Sequence, residues 1–289
     1  MTGSCEKFII STMKGKELDA VIEVALKEDM PRGDITSENI IPPDSESEAI
    51  ILAKEQGILA GIKVAGSVFG KIDPSIRFKN VFEDGQIFKK GDILARLKGN
   101  SISILKGERT ALNFLQRMSG IATTTWKFVR ILEGTHTKIL DTRKTTPGLR
   151  FLEKYAVKMG GGVNHRFNLS DMVLIKDNHL KLVGGIQEAV RRAKKRVKKG
   201  IKVEVETTSL EDVKEAVQSG ADMVMLDNMP LEKIGEVVKW VKGTVPLEVS
   251  GKVTLRRVKE IASLGIDFIS VGSLTHSYRS VDISVEFLD

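Results

Sequence analysis

The amino-acid sequence predicts an α/β protein whose later part is an incomplete (β/α) barrel. From about residue 137 onward, six short apolar runs recur, and helix-like stretches lie between them. Repeated strand–helix units form a parallel sheet with right-handed crossovers. Each run ends in a polar or small residue, which fits a barrel better than an open sheet because barrel enzymes build their sites from strand ends. A Rossmann domain is the structural alternative, but no G-x-G-x-x-G motif follows a strand.

The first part of the chain alternates helix-like and strand-like patterns. Apolar residues from Leu18 to Leu26 recur at helical spacing, and E-D-M-P-R-G-D-I-T (28–36) is predicted to be a loop. The remaining predicted elements are strands at 49–53, 57–60 and 93–97, turns at 84–86 and 90–92, and a helix at 108–121.

The later part supplies the strands and helices of the barrel. The six predicted strands end at Asp141, Lys176, Glu206, Asp227, Ser250 and Gly272. Helices are predicted at 209–220, 230–241 and 254–265. The first two begin with S-x-x-D and P-x-E, which are favourable helix starts, and the first and third end at glycine.

Composition places the chain among globular proteins. Hydrophobic residues make up 41% and charged residues 29%, and no segment approaches the ~20 apolar residues of a membrane span. The first residues lack the apolar core of a signal peptide, so secretion is not expected. Cys5 is the single cysteine, which excludes an intrachain disulfide and a cysteine-rich metal site. We therefore expect a cytoplasmic protein with no membrane partner, and a disordered extension before Met13.

The net charge of +7 raises the question of nucleic-acid binding. Its main support is the run R-R-A-K-K-R-V-K-K at 191–199. Apolar residues recur at helical spacing from Ile186 to Val197, which is typical of a surface helix with one packed face and solvated lysines. Aromatic residues form only 5% of the chain, and no nucleic-acid-binding signature is present. We expect no nucleic-acid partner.

Cationic side chains are concentrated on glycine-bearing segments between Asp141 and His179. They are Arg143, Lys144, Arg150, Lys158, His165, Arg166 and Lys176, interleaved with Gly148, Gly160, Gly161 and Gly162. Glycine weakens helices and permits tight loops, so these cations do not belong to one solvated helix. Cations on loops with exposed amides bind small, highly charged anions. Because guanidinium binds carboxylate in a bidentate manner, Arg143, His165 and Arg166 are a candidate clamp for a dicarboxylate.

Two acidic residues end consecutive predicted strands. Glu206 and Asp227 would lie at one rim of the barrel, where carboxylates could hold Mg²⁺ together with substrate phosphates. The alternative is that both pair with nearby lysines and only neutralise them. Glu204 lies two residues before Glu206 on the same strand and therefore faces the same side. The sequence does not decide which of the two would be the metal ligand.

Small residues follow the last two predicted strands. Ser250-Gly251 and Gly272-Ser273 each precede a predicted helix. At the last strands of a barrel, such residues cradle a phosphate with free backbone amides and the helix dipole. Ordinary turns share this composition, so the position in the barrel favours the phosphate interpretation. No nucleophilic triad is evident, and a hydrolase is not favoured.

Together these motifs resemble the quinolinate phosphoribosyltransferase family nearly from end to end. The most specific motifs are D-T-R-K-T-T-P-G-L-R (141–150) and L-I-K-D-N-H (174–179), in this order and spacing. The resemblance extends over A-L-K-E-D-M-P-R-G-D-I-T (25–36), E-R-T-A-L-N-F-L-Q-R-M-S-G-I-A-T (108–123), G-G-G-V-N-H-R (160–166), V-E-V-E (203–206), L-D-N (226–228) and I-S-V-G-S-L-T-H-S (269–277).

The resemblance implies an activity and an architecture. The family converts quinolinate and phosphoribosyl pyrophosphate to nicotinate mononucleotide, pyrophosphate and CO₂ in de novo NAD biosynthesis. By this resemblance, residues 1–115 form an N-terminal α+β open sandwich, which the C-terminal tail at about 278–289 joins. Residues 116–277 then form the incomplete barrel. The resemblance also implies a homodimer in which each subunit completes its partner's site, and the sequence leaves further assembly open.

The resemblance assigns the quinolinate site to four residues. Arg143, His165 and Arg166 would bind the two carboxylates, and Arg109 would reach across the dimer interface from the other subunit.

The resemblance assigns the phosphoribosyl side of the site to a second set of residues. Lys144 and Lys176 would contact phosphoribosyl pyrophosphate, and Glu206 and Asp227 would serve the ribose hydroxyls and Mg²⁺; all four are the candidate catalytic residues. The residues that would cradle the 5-phosphate are Ser250, Gly251 and Gly272.

The chain departs from the family pattern at one position. Family members usually have S-G-G where this chain has Ser250-Gly251-Lys252. If the second glycine requires a positive φ, a lysine there costs conformational free energy. Alternatively, Lys252 adds a positive charge near the phosphate.

Two other functions are alternatives to this interpretation. A sister phosphoribosyltransferase on the same barrel would use nicotinate or another aromatic base. A protein of a different class would bind anions or nucleic acid without catalysis, for which the basic helix at 186–199 is the only support.

Overall fold

The computed structural model describes residues 15–288 and divides the chain into two compact units. Within the described residues, one unit comprises 15–126, 145–161 and 273–288, and the other comprises 127–144 and 162–272. The predictions about Cys5 and about the residues before Met13 lie outside the described residues.

The helices and strands follow one another along the chain in this order. The first half contains α1 (Lys16–Asp29), α2 (Ile35–Ile40), β1 (Glu46–Ala53), β2 (Gly57–Ile58), α3 (Ile62–Ile72), β3 (Arg77–Asn80), β4 (Ile87–Phe88), β5 (Ile93–Asn100) and α4 (Ser101–Ile131). The second half contains β6 (Lys138–Leu140), α5 (Arg150–Met159), β7 (Val173–Ile175), α6 (Asp177–Val183), α7 (Ile186–Arg196), β8 (Val203–Thr207), α8 (Leu210–Gln218), β9 (Met223–Asp227), α9 (Leu231–Val241), β10 (Leu247–Ser250), α10 (Leu255–Ala262), β11 (Phe268–Ser270), α11 (Ser273–His276) and β12 (Ile283–Phe287).

The first unit is built on a four-stranded antiparallel sheet with the order β12-β1-β5-β3. Strand β12 comes from the C-terminal tail and pairs with β1 from Ala49–Phe287 to Ala53–Ile283. The predicted strands at 49–53 and 93–97 are confirmed within β1 and β5, whereas the strand predicted at 57–60 ends at Ile58.

Two elements of the first unit differ from the sequence predictions. The loop predicted at 28–36 is shorter, because Asp34 accepts hydrogen bonds from the amides of Thr36 and Ser37 at 3.0 and 3.1 Å and so begins α2. The helix predicted at 108–121 extends over all of α4 and contains the predicted domain boundary at 115/116. Gly120 does not interrupt α4; a Cβ there would lie 2.2 Å from the carbonyl oxygen of Arg279, so this glycine permits close packing.

The second unit contains a six-stranded parallel sheet with the order β6-β11-β10-β9-β8-β7. All six predicted strands are present, but β6, β7 and β11 end one or two residues before the predicted Asp141, Lys176 and Gly272, and β8 continues one residue beyond Glu206. The order places the first strand beside the last, as in a barrel, but β6 and β7 do not pair with each other. An extended segment lies against β6, because Val163 forms a parallel bridge with Leu140 and donates its amide to Ile139 at 2.8 Å. Residues 164–166 therefore follow a strand-like segment.

Contacts between distant strands show that this sheet curls into a barrel. The Nε2 atom of His165 lies 3.0 Å from Glu204 Oε2 on β8 and 3.4 Å from Glu248 Oε2 on β10. In the order of the sheet, both strands are several places from the segment that carries His165. Since neighbouring strands lie about 4.8 Å apart, a flat sheet would separate these side chains widely. The predicted incomplete barrel is confirmed.

The basic segment after residue 185 is a surface helix. Helix α7 buries Ile186, Ala189 and Val190. On its exposed side, Glu188 forms ion pairs with Arg191 and Arg192. It ends at Arg196, before the predicted position 199, and its charged face is solvated as predicted. No helix in the described part of the chain combines the length and the apolar composition needed to cross a bilayer.

Candidate active site

A cavity of about 640 Å³ lies at the carboxyl ends of the barrel strands in the second unit. The predicted site residues that line it are Arg143, Lys144, His165, Arg166, Lys176, Glu206, Asp227, Ser250 and Gly251. Gly272, which follows β11, is not among the lining residues, and neither is Arg109, which is exposed on α4. The roles predicted for Gly272 and Arg109 remain predictions.

The K-D-N-H motif forms the turn that presents Lys176. The amide of Lys176 donates to His179 Nδ1 at 2.9 Å, so the histidine side chain fixes the start of α6. The ammonium group of Lys176 forms an ion pair with Glu206 Oε2. The alternative interpretation of the acidic strand ends, that they pair with nearby lysines, therefore holds for Glu206. Among residues 15–288, Asp227 has no lysine partner and accepts a hydrogen bond from Asn228 Nδ2 at 2.7 Å.

Glu206 and Asp227 lie on neighbouring strands. Glu206 is opposite Met225 in the register of β8 and β9, so Asp227 ends its strand close to the same level. Both carboxylates line the cavity. Carboxylate oxygens are the protein ligands that Mg²⁺ prefers, so this donor set fits a Mg²⁺ ion shared with substrate oxygens.

Asp141 fixes the segment that carries two of the predicted cations. Its Oδ1 accepts the backbone amide of His165 at 2.9 Å, and its Oδ2 accepts the side-chain amide of Asn164 at 2.5 Å. The carboxylate is fully buried. In the sequence Asp141 is recognisable only as a strand end, because its role depends on the adjacent segment at 163–166.

His165 lies between two buried carboxylates, one of which the sequence analysis missed. Glu204 and Glu248 have no exposed surface, and both converge on His165 Nε2. Glu248 was hidden within the apolar run L-E-V-S; an acidic residue inside a buried strand was the available signal.

The two carboxylates make this cluster bind protons tightly. Burial lowers the pKa of His165, but the charges of Glu248 and Glu204 outweigh burial and raise the pKa to about 10. Burial, together with the charge of Glu248, raises the pKa of Glu204 to about 7. A charged imidazole also requires a proton on Nδ1, where the Arg166 amide now donates at 2.8 Å, so full charging requires this contact to open. Both pKa shifts have the same direction, and the folded cluster therefore retains protons that an unfolded chain would release.

The same geometry argues against a metal ion at this cluster. His165, Glu204 and Glu248 are spaced closely enough to surround a cation. Nδ1 accepts the Arg166 amide, so Nε2, the atom that faces the carboxylates, carries a proton whether the ring is neutral or charged. The Nε2 proton forms a hydrogen bond with Glu204 at 3.0 Å and leaves no lone pair on Nε2 for a metal ion.

Two arginines, Arg143 and Arg166, line the cavity. Burial and the nearby charge of Arg143 lower the pKa of Arg166. Arg166 is held in place by a hydrogen bond of 2.9 Å from Nη1 to the carbonyl oxygen of Met172. Repulsion between like charges in a partly buried cavity is unfavourable, and the charges of Glu204 and Asp171 offset it only in part, since the pKa of Arg166 stays lowered. The arrangement therefore favours an anionic ligand.

The turn after β10 has the left-handed backbone that the sequence analysis considered. Gly251 has a φ of 94° and Lys252 a φ of 47°, so the lysine does occupy a conformation suited to glycine. Arg257, in the first turn of α10, donates to the carbonyl oxygens of Gly251 and Met229 at 3.3 and 2.6 Å. These bonds fix the turn at the rim of the cavity.

An incomplete α/β barrel with cations, two acidic strand ends and a glycine turn around one cavity defines an enzyme that acts on small, multiply charged anions. Comparisons with known proteins specify the class further. The family model of the quinolinate phosphoribosyl transferase N-terminal domain matches residues 34–119. The family model of the C-terminal domain matches residues 121–286.

Individual relatives cover nearly the whole chain. A probable nicotinate-nucleotide pyrophosphorylase [carboxylating] from Bacillus subtilis is 41% identical over 95% of this chain and 94% of its own length. A chloroplastic nicotinate-nucleotide pyrophosphorylase [carboxylating] from Arabidopsis thaliana is 44% identical over 93% of this chain and 82% of its own length. A crystal structure of NadC from Streptococcus pyogenes is 42% identical, with a TM-score of 0.90 over 94% of this chain and 97% of that one. The chain belongs to the quinolinate phosphoribosyltransferase family.

Proposed function

We propose that this protein transfers the phosphoribosyl group of phosphoribosyl pyrophosphate to quinolinate and then releases CO₂, giving nicotinate mononucleotide and pyrophosphate. The observation that carries the proposal is the convergence of nine predicted site residues on one cavity in a chain of this family. Neither substrate is neutral, and the cavity combines fixed cations with carboxylates that suit a metal ion.

The dicarboxylate would bind at the end of the cavity formed by Arg143 and Arg166, beside His165, whose ring nitrogens face Glu204 and the Arg166 amide. Two guanidinium groups held close together gain the most from an anion with two carboxylates. Buried hydrogen bonds of Asp141 and Met172 fix the positions of His165 and Arg166, so binding requires little reorganisation. This geometry favours quinolinate over an aromatic base with one carboxylate.

The transfer step needs no protein nucleophile. The ring nitrogen of quinolinate attacks the anomeric carbon with its lone pair, and the bond to pyrophosphate breaks with its electrons leaving on the pyrophosphate oxygen. Lys144 and Lys176 stabilise the departing anion, and the fixed positions of both substrates supply much of the rate. Glu206 and Asp227 would hold Mg²⁺, which when bound neutralises negative charge on the pyrophosphate oxygens.

Decarboxylation follows from the charge on the ring. After transfer the nitrogen is quaternary, so the electron pair left at the adjacent carbon when CO₂ departs is stabilised by the neighbouring positive charge. A proton then replaces the carboxylate at that carbon.

The remaining features of the proposal concern assembly and setting. We propose a homodimer in which Arg109, exposed on α4, reaches the cavity of the partner subunit and completes the carboxylate clamp. We also propose that the protein acts in the cytoplasm and has no nucleic-acid or membrane partner.

The decisive assay mixes the protein with quinolinate, phosphoribosyl pyrophosphate and Mg²⁺ and follows CO₂ and nicotinate mononucleotide. Formation of both products in equal amounts supports the proposal, and a folded protein that forms neither contradicts it. Replacing quinolinate by nicotinate separates the proposed enzyme from a sister phosphoribosyltransferase, because equal turnover of nicotinate would contradict a two-carboxylate clamp.

A further inference from the structure

Lys252 occupies a backbone conformation that lysine rarely adopts. Its φ is 47°, and only two other non-glycine residues among residues 15–288 have a positive φ, Asn228 and Lys242. Asparagine adopts the left-handed region at little cost, because its short polar side chain bonds locally, whereas lysine has no such compensation. Unfavourable backbone conformations cluster at functional sites, where the surrounding structure enforces them.

The surroundings of Lys252 and Lys242 differ in one important respect. Lys252 lines the cavity beside Ser250 and Gly251, whereas Lys242 is exposed at the end of α9 and does not line it. Two lysines of the same chain thus share a left-handed backbone, and only one of them can contact a ligand in the cavity.

The charge of Lys252 is available to a ligand. Its side chain is exposed, and in the described part of the chain it forms no ion pair with a carboxylate. The amides of Gly251 and Lys252 donate no hydrogen bond to another described residue. Free amides at the N-terminal side of a helix attract phosphate, and a lysine ammonium beside them adds a charge-assisted hydrogen bond.

The turn that carries Lys252 is held rigidly. The Asn228 amide donates to the Ser250 carbonyl oxygen at 2.9 Å, and Arg257 binds the carbonyl oxygens of Gly251 and Met229. These bonds hold the two residues that precede Lys252, so its side chain starts from a fixed point at the cavity rim.

We propose that Lys252 is a ligand of the 5-phosphate of the phosphoribosyl substrate, which it contacts beside the amides of the turn. This inference rests on the proposed function for the identity of the substrate. The phosphate could also belong to the pyrophosphate group, and separate probes distinguish the two sources.

The test uses direct binding of ribose 5-phosphate, measured by calorimetry on the full-length protein, with no quinolinate present. Lys252→Asn removes the charge while keeping a residue that tolerates the left-handed backbone, and Lys252→Arg keeps the charge. Lys252→Asn should weaken ribose 5-phosphate binding by about tenfold, the loss of one charge-assisted hydrogen bond, and Lys252→Arg by much less. Inorganic pyrophosphate should bind the wild-type protein and Lys252→Asn equally.

A matched pair of glycine variants separates charge from backbone strain. Lys252→Gly and Lys242→Gly should both raise the midpoint of thermal unfolding by about 2–4 °C, because glycine adopts a positive φ freely. Only Lys252→Gly should weaken ribose 5-phosphate binding and raise the KM for phosphoribosyl pyrophosphate.

The proposal is overturned if Lys252→Asn binds ribose 5-phosphate as tightly as the wild-type protein, or if only pyrophosphate binding weakens. A wild-type protein that binds ribose 5-phosphate but forms no product from quinolinate would contradict the proposed function. The binding measurements would still decide whether Lys252 contacts the 5-phosphate.

Discussion

The side-chain amide of Asn228 occupies the space in which a Cβ on Gly251 would lie. Such an atom would be 2.2 Å from Asn228 Oδ1, and Gly251 also has a φ of 94°. Two independent reasons thus require glycine at this position: the left-handed backbone of the turn after β10, and the packing of Asn228, after β9, against that turn.

Gly251→Ala should therefore destabilise the protein more than strain alone would. The control is Gly243→Ala, since Gly243 has a φ of 76° but no atom within 4 Å of a built Cβ. We expect the control to lose about 1 kcal/mol of unfolding free energy and Gly251→Ala clearly more, with weaker binding of phosphoribosyl pyrophosphate. Urea unfolding measures both; equal losses would contradict the packing of Asn228 against Gly251.

Arg143→Ala should impair the use of quinolinate much more than stability. Removing one charged donor to a carboxylate should lower kcat/KM for quinolinate by about a hundredfold while the unfolding midpoint changes little. Arg191→Ala is the matched control, because Arg191 pairs with Glu188 on the exposed face of α7. If Arg143→Ala and Arg191→Ala have the same kcat/KM, Arg143 does not bind the substrate.

Asp227→Asn should raise the Mg²⁺ concentration needed for half-maximal activity. An amide keeps one oxygen ligand but loses the negative charge that attracts the cation. Asp44→Asn, at an exposed position in the first unit, is the control and should leave the Mg²⁺ dependence unchanged. Chelation with EDTA should abolish turnover in all three proteins and excess Mg²⁺ should restore it. Unaltered Mg²⁺ dependence in Asp227→Asn would remove this residue from the metal site.

The His165 cluster predicts how stability depends on pH. The folded-state pKa values of His165, about 10, and of Glu204, about 7, both lie above their ordinary values of 6.5 and 4.5. For a raised pKa, the stabilisation is complete below the unfolded value and is lost as the pH rises to the folded value. The contribution of Glu204 therefore falls between pH 4.5 and 7, and that of His165 between pH 6.5 and 10.

Glu248→Gln tests this origin of the pH dependence. The substitution removes a charge that raises both pKa values, so the decrease in unfolding free energy between pH 5 and 10 should become shallower. Glu260→Gln, on α10 and exposed, is the control and should follow the wild-type curve. Parallel curves for the wild-type protein and Glu248→Gln would contradict proton retention by the cluster.

The strand ends were the part of the site that the sequence predicted best. Glu206, Asp227 and Ser250 could be placed at one rim from the sequence, because apolar runs followed by helices report parallel strands and their direction. The motif around Lys176 was recognised as part of the site, but the reason for its spacing, the bond from the Lys176 amide to His179, appears only in the structure.

Helix lengths were harder to predict. Helix α4 begins before and ends after the predicted range 108–121, and Gly120, which the prediction included, lies within it because the close approach of Arg279 leaves no room for a side chain. A glycine in a helical pattern looks like an end or a weak point when only neighbours in sequence are considered.

The sequence by itself determined the parallel α/β architecture, the family and most of the residues around the cavity, since periodicity and short motifs are local properties of the chain. Only the tertiary structure decided that Glu204 and Glu248 meet at His165 and that Asn228 excludes a side chain at Gly251. The physical reason is that periodicity states which side of a strand a residue faces. Distances between strands that are remote in sequence depend on how the sheet curves, and that curvature results from packing of the whole unit.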